Sequence, residues 1–152
     1  MAQIATHALV SWLDGLKTGF PVQIAPGAAP DSKGHIGLRL IGIEQSTSLN
    51  DTAARPLRLI LTYQIAVQAA DPLAAHEALC NLMFAGLNTP VLPGKDVPFP
   101  MSVASGAVAR QRFALQDGAD ALYLEVMVER PRLTRQGPPV REPAVLKTST
   151  LN

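Results

Sequence analysis

RPLRLILTYQIAVQAADPLAAHEALCNLMFAGLNTPVL, from Arg55 to Leu92, changes its hydrophobic period once, and that change decides the fold. Leu57, Leu59, Leu61, Tyr63, Ile65 and Val67 alternate with Arg58, Ile60, Thr62, Gln64, Ala66 and Gln68. Period two over about a dozen residues describes a half-buried strand, because successive side chains point to opposite faces of a sheet. Asp71-Pro72 follows. An Asp side chain accepts from orphan N–H groups at a helix start, and proline suits the first helical position. Leu79, Met83 and Leu87, with Cys80 and Phe84 beside them, then recur at helical spacing, and Gly86, Asn88 and Pro90 supply the stop. The stretch predicts a long strand feeding an amphipathic helix that folds back over the sheet.

Working outward, His35 to Gln45 alternates again, with Ile36, Leu38 and Leu40 on one side and Arg39, Ile41 and Ile43 on the other. It predicts an antiparallel partner for the long strand, joined through the polar connection 46–54. Upstream, Ile4, Ala8, Leu9, Trp12, Leu13 and Leu16 form one stripe of a helix over Gln3–Lys17. Gly19 fits just past its end and Pro21 forbids continuation. Phe20 to Ala25 reads as a short strand, and PGAAPDSKG, residues 26–34, as a loop. Downstream, PGKDVPFP at 93–100 reads as an irregular connection because its prolines disfavour a helix or a central strand. Val108–Gln116 and Leu122–Arg130 are expected strands, with Asp117-Gly118 as the turn between them. Beyond Gln136, Pro138, Pro139 and Pro143 favour an extended path ahead of AVLKTSTLN. The expected organisation is one α+β domain over 1–136 and an extended arm over 137–152. In the domain, a mixed or antiparallel sheet of four to six strands carries the two helices on one face.

The strand LRLILTYQI followed by AADPLAAHEALCNLMFAGLNTPVLP resembles the small cap, or tail terminator, proteins of phage-tail-like contractile injection systems. The matching residues are Asp71, Pro72, Leu73, His76, Leu79, Met83, Leu87, Pro90, Val91 and Leu92, and the likeness extends less clearly over residues 4–135. The resemblance implies a structural protein. It would form a ring, usually a hexamer, on the end of a contractile tail. It would touch the last layers of inner tube and sheath and end their polymerisation. The alternative within that class is a tail terminator or head–tail connector of a true phage.

Composition agrees with a protein that meets other proteins. Charged residues are 16% of the chain, against about 25% in an average domain, while apolar residues reach 47%. The 152 residues suffice for one core. The net charge of +1 favours neither nucleic acid nor its absence. Its distribution is uneven, because Arg130, Arg132, Arg135, Arg141 and Lys147 face only Glu142 at the C-terminal end. Three readings stay open for these arginines: a solvated chain end, carboxylates of a protein partner, or phosphates. The absence of interleaved aromatic residues weakens the last. Arg130, Arg132, Arg135 and Arg141, with Val145 and Leu146 in the arm, are the candidate partner contacts. The arm has two readings, strand addition to an open sheet edge or a disordered end.

Little in the chain suggests catalysis. The single cysteine, Cys80, forbids an intrachain disulfide. His76 and Cys80 stand at i and i+4, a spacing that begins a zinc site but falls short of the three or four ligands needed. The same pair as base and nucleophile would sit on an apolar helix face, where burial raises a thiol pKa. The carboxylates are dispersed, no glycine-rich phosphate loop precedes a helix, and no serine lies in a nucleophile elbow. No catalytic, cofactor-binding or metal-ligating residue is therefore assigned, and an enzyme or a nucleic-acid module ranks below the structural reading. With no secretory pattern at the N-terminus and no long apolar run, the expected address is cytoplasmic, in a tail-like particle, without a membrane partner.

Overall fold

The computed structural model describes residues 1–25, 34–46, 56–94, 97–115 and 120–131. In chain order the elements are α1 (Ala2–Gly15), β1 (Val22–Ile24), β2 (His35–Gln45), β3 (Leu57–Gln68), α2 (Pro72–Asn88), β4 (Val91–Leu92), β5 (Phe99–Ala104), α3 (Gly106–Arg112) and β6 (Leu122–Arg130). The strands form one mixed sheet in the order β1-β2-β3-β6-β5-β4. Only the β1–β2 contact is parallel. The fold is α+β, as the period change predicted.

The two long strands pair antiparallel from His35↔Gln68 to Gln45↔Leu59. A register shift between Leu40 and Gly42 interrupts the ladder. One extra residue in a strand turns the following side chains over. Leu40 opposes Tyr63 and Ile43 opposes Leu61, so both lie on the same face of the sheet. This corrects the simple alternation expected for β2, which had put Ile43 opposite Leu40.

One face of the sheet holds the core. Leu61, Tyr63 and Ile65 of β3 and Leu122, Leu124 and Val126 of β6 are buried there against Ala5, Leu9 and Leu13 of α1 and Leu82 of α2. The Thr6 and Tyr63 hydroxyls lie 2.8 Å apart and tie α1 to the sheet. Burial pushes the Tyr63 phenol above its ordinary pKa of 10.0, and the hydrogen bond with Thr6 pulls the other way. Asp71 caps α2 as expected, its Oδ1 accepting from the Leu73 N–H at 3.0 Å, with Pro72 next to it.

The face that α2 buries differs from the expected one. Ala78, Leu82 and Gly86 are buried, while Cys80, Met83, Phe84 and Leu87 are exposed. Small residues set this phase. A β-carbon on Gly86 would lie 3.1 Å from Val103 Cγ2 and 3.4 Å from Leu124 Cδ2, so the glycine lets the helix approach the sheet closely. Ile4 of α1 is likewise exposed, and the buried stripe of that helix is Ala5, Leu9 and Leu13.

Two further corrections fall between α2 and β6. The last two residues of the proline-rich segment, Phe99 and Pro100, begin β5, and the expected strand Val108–Gln116 begins inside a helix, α3 over Gly106–Arg112. Pro100 is tolerated because it pairs with Val91 of the two-residue β4 at the sheet's end, where a missing donor costs little. The α3 sequence is built of good helix formers, Ala107, Ala109, Arg110, Gln111 and Arg112. It lies on the face of the sheet opposite α1 and α2. Arg112 pairs with Glu44 and, at 3.5 Å, with Glu125, and Phe113 rests on Gly42. This cover buries Thr62, which alternation alone would place in solvent. Asp117-Gly118, the 137–152 arm and the 1–136 boundary lie outside the described residues.

Candidate functional site

Length decides what the helices leave bare. The 12 residues of β3 span about 40 Å at ~3.3 Å each, whereas the 17 residues of α2 span about 25 Å at 1.5 Å each. The chain turns directly from β3 into α2, so the helix starts over the Gln68 end and runs back. Near its C-terminus Gly86 lies over Leu124, which pairs with Tyr63 midway along β3. The opposite end of the sheet is left without that cover. There Leu57, Leu59 and Val128 line a groove of about 620 Å³ with Met1, Gln45 and Arg130. Ile43, opposite Leu61 on the same sheet face, is 57% exposed.

A second apolar surface is convex. On the outward side of α2, Leu73 is 75% exposed, Phe84 66% and Leu87 62%, with Met83 and Cys80 beside them. Large apolar side chains gathered on one solvent-facing side are a feature that interaction surfaces share. A third feature is a strand edge. β1 covers β2 only from Ile36 to Leu38, and no described strand pairs with the outer edge of β2 from Arg39 to Gln45.

Of the expected partner contacts, Arg130 lies at the end of β6, paired in the sheet with Leu57, and on the rim of the groove. Arg132, Arg135, Arg141, Val145 and Leu146 lie outside the described residues. His76 and Cys80 line one shallow cleft together with Asp120. His76 Nε2 lies 3.0 Å from Asp120 Oδ2 on the surface. Among the described residues no three of His, Cys, Asp and Glu are grouped to hold a metal. No helix among them is long and apolar enough to cross a membrane.

Two ion pairs brace the sheet, one between neighbouring strands and one between α3 and β2. Arg58 Nε donates to Glu129 Oε1 at 2.6 Å across β3 and β6. Arg112 Nε donates to Glu44 Oε1 at 2.8 Å. His35 is buried with no partner for Nδ1. Sequence reasoning missed the groove and the outward stripe. The signal for the groove was present, since Leu57 and Leu59 continue the apolar alternation beyond any length that α2 can cover.

No protein-family model and no curated protein matches the chain. Among solved structures, the PVC sheath/tube terminator of an extracellular contractile injection system, determined by cryo-EM in the extended state, superposes with a TM-score of 0.66 at 14% identity. The match covers 100% of this chain and 64% of that one. This chain has the fold of that terminator. It spans just under two thirds of the terminator's length. A second solved chain aligns with 84% of this one at 11% identity and a TM-score of 0.42, too low to establish a common fold.

Proposed function

We propose that this chain is a tail terminator of a contractile injection system. It forms a ring, a hexamer by analogy with its class, on the end of the tail, meets the last layers of inner tube and sheath, and ends their growth. The observation that carries this reading is the superposition of the whole chain on a sheath/tube terminator. That neighbour favours an injection system over the alternative, a terminator or head–tail connector of a true phage.

The exposed surfaces fit the role. A ring requires two different patches per subunit that match each other, and the outward face of α2 and the sheet-end groove are two such patches. Arg130, Arg132, Arg135 and Arg141 suit carboxylates on tube or sheath, because a guanidinium binds a carboxylate in a two-pronged fashion. Val145 and Leu146 suit contacts made by the 137–152 arm. The role calls for neither cofactor nor bond chemistry, and the chain works inside a phage-tail-like particle assembled in the cytoplasm.

The test is to add the purified chain to growing tube and sheath. Elongation should stop at one end, with the chain bound there. Tails that keep growing at the same rate with the chain present would refute the role.

A further inference from the structure

The ring reading leaves open which surfaces meet. On α2, Leu73, Glu77, Cys80, Phe84 and Leu87 recur at steps of four, three, four and three, and all are exposed. They form a convex ridge. The groove at the far end of the sheet is concave, floored by Leu57, Leu59 and Val128. Within one molecule the ridge points away from the sheet that floors the groove, so the two shapes cannot meet without a second copy.

Charge distinguishes a second copy from an arbitrary apolar partner. α2 contains no lysine or arginine, and its ridge carries Glu77, with the N-cap Asp71 at one end. Glu77 shares a cleft with Lys17, yet neither forms an ion pair among the described residues. The groove rim carries Arg130, which likewise forms none. Glu77 on the ridge and Arg130 on the groove rim of the same subunit complement each other between copies, whereas a two-fold pairing of ridges would bring Glu77 towards its own copy.

We propose that the α2 ridge of one copy seats in the sheet-end groove of the next, with Phe84 entering between Leu57, Leu59 and Val128 and Glu77 facing Arg130. This rests on the ring reading and names its subunit contact. Leu73, Met83, Phe84 and Leu87 each offer on the order of 100 Å² when buried. Together that is about half of the ~800 Å² per partner in a standard interface, whose remainder is polar rim. Because ridge and groove are different patches, the contact repeats around a ring and does not close as a dimer.

Cys80 makes the contact testable, since the only thiol of the wild type lies on the ridge. Leu59→Cys places a second thiol in the groove. Cells assembling the tails with either version are lysed into a short bismaleimide, and the chain is followed on a denaturing gel. Leu59→Cys should give a ladder of dimers, trimers and higher species up to the full ring, and the wild type a single band. Adding Phe84→Glu, an exposed change checked for an unaltered circular dichroism spectrum, should abolish the ladder. A wild-type dimer that never extends means the α2 faces pair two-fold and overturns the proposal. A single band from Leu59→Cys in cells whose tails are normally capped overturns it as well. A ladder in cells whose tail lengths do not depend on this chain supports the contact and removes the terminator reading, so the two failures are distinct.

Discussion

Gly42 lies directly beneath the ring of Phe113, so close that a β-carbon on Gly42 would overlap Cε1 and Cζ of the ring. This contact fixes α3 to the second face of the sheet, at the point where β2 shifts register. Gly42→Ala should push Phe113 and α3 outward. The expected cost is about 1–3 kcal/mol, the usual penalty for overpacking. Chemical denaturation reads it, and Phe113→Ala in the same background should recover part of the loss, because the clash goes with the ring. A Gly42→Ala protein as stable as the wild type would show that α3 does not bear on β2.

The phase of α2 gives a paired prediction. Leu82 is fully buried, so Leu82→Ala should cost roughly 2–5 kcal/mol through lost burial and a residual cavity. Measured on the unassembled subunit, at dilution or with the ring contact broken, Phe84→Ala should stay within about 0.5 kcal/mol, as exposed substitutions generally do. The expectation drawn from spacing alone, with Met83, Leu87 and Phe84 facing the core, predicts the reverse order. The two melting curves therefore decide which face is buried.

The cap on α2 is worth measuring because it satisfies one of the free N–H groups at the start of the helix. Asp71→Ala removes the acceptor for the Leu73 N–H and should destabilise the chain by about 1 kcal/mol, while Asp71→Asn should retain most of it. A shift in denaturation midpoint for the alanine alone supports the cap.

Tyr63 makes stability depend on alkaline pH. Its phenol titrates above 10.0 in the folded chain, so the unfolded chain loses this proton first as pH rises. The native state then binds more protons than the unfolded state, and stability falls with rising pH. The contribution is fully present below pH 10 and declines above it. Tyr63→Phe cannot titrate and should show a shallower decline over the same range. Parallel curves for the two proteins would contradict this assignment.

Much of the fold was legible because period and punctuation agreed. The predicted spans of β2, β3 and β6 match the observed ones, since each is long, alternating and bounded by turn residues. The Asp71-Pro72 start of α2 was equally plain. What failed had a physical cause in each case. The α2 sequence is apolar on nearly every side, so spacing does not choose between Leu82 and Phe84, and Ala78 and Gly86 choose instead by allowing close approach. β5 was hidden because its only proline pairs with a two-residue edge strand. Residues 106–112 carried no strong period, and α3 was lost to an expected strand. Of the candidate contacts only Arg130 falls on the described residues, on the rim of a groove that strand length could have revealed.

Ring formation has its own readout. Light scattering after gel filtration should give a mass near six subunits for the full chain, and less for a chain ending at Gln136 if the arm locks neighbours. An unchanged mass for the shortened chain would confine the ring contact to residues 1–136.

The most direct measurement is the length distribution of tails, by electron microscopy, from cells with and without this chain. With it, tails should share one length and carry added density at one end. Without it, they should run to a broad range of lengths with bare ends. An identical, narrow distribution in both would contradict the terminator account.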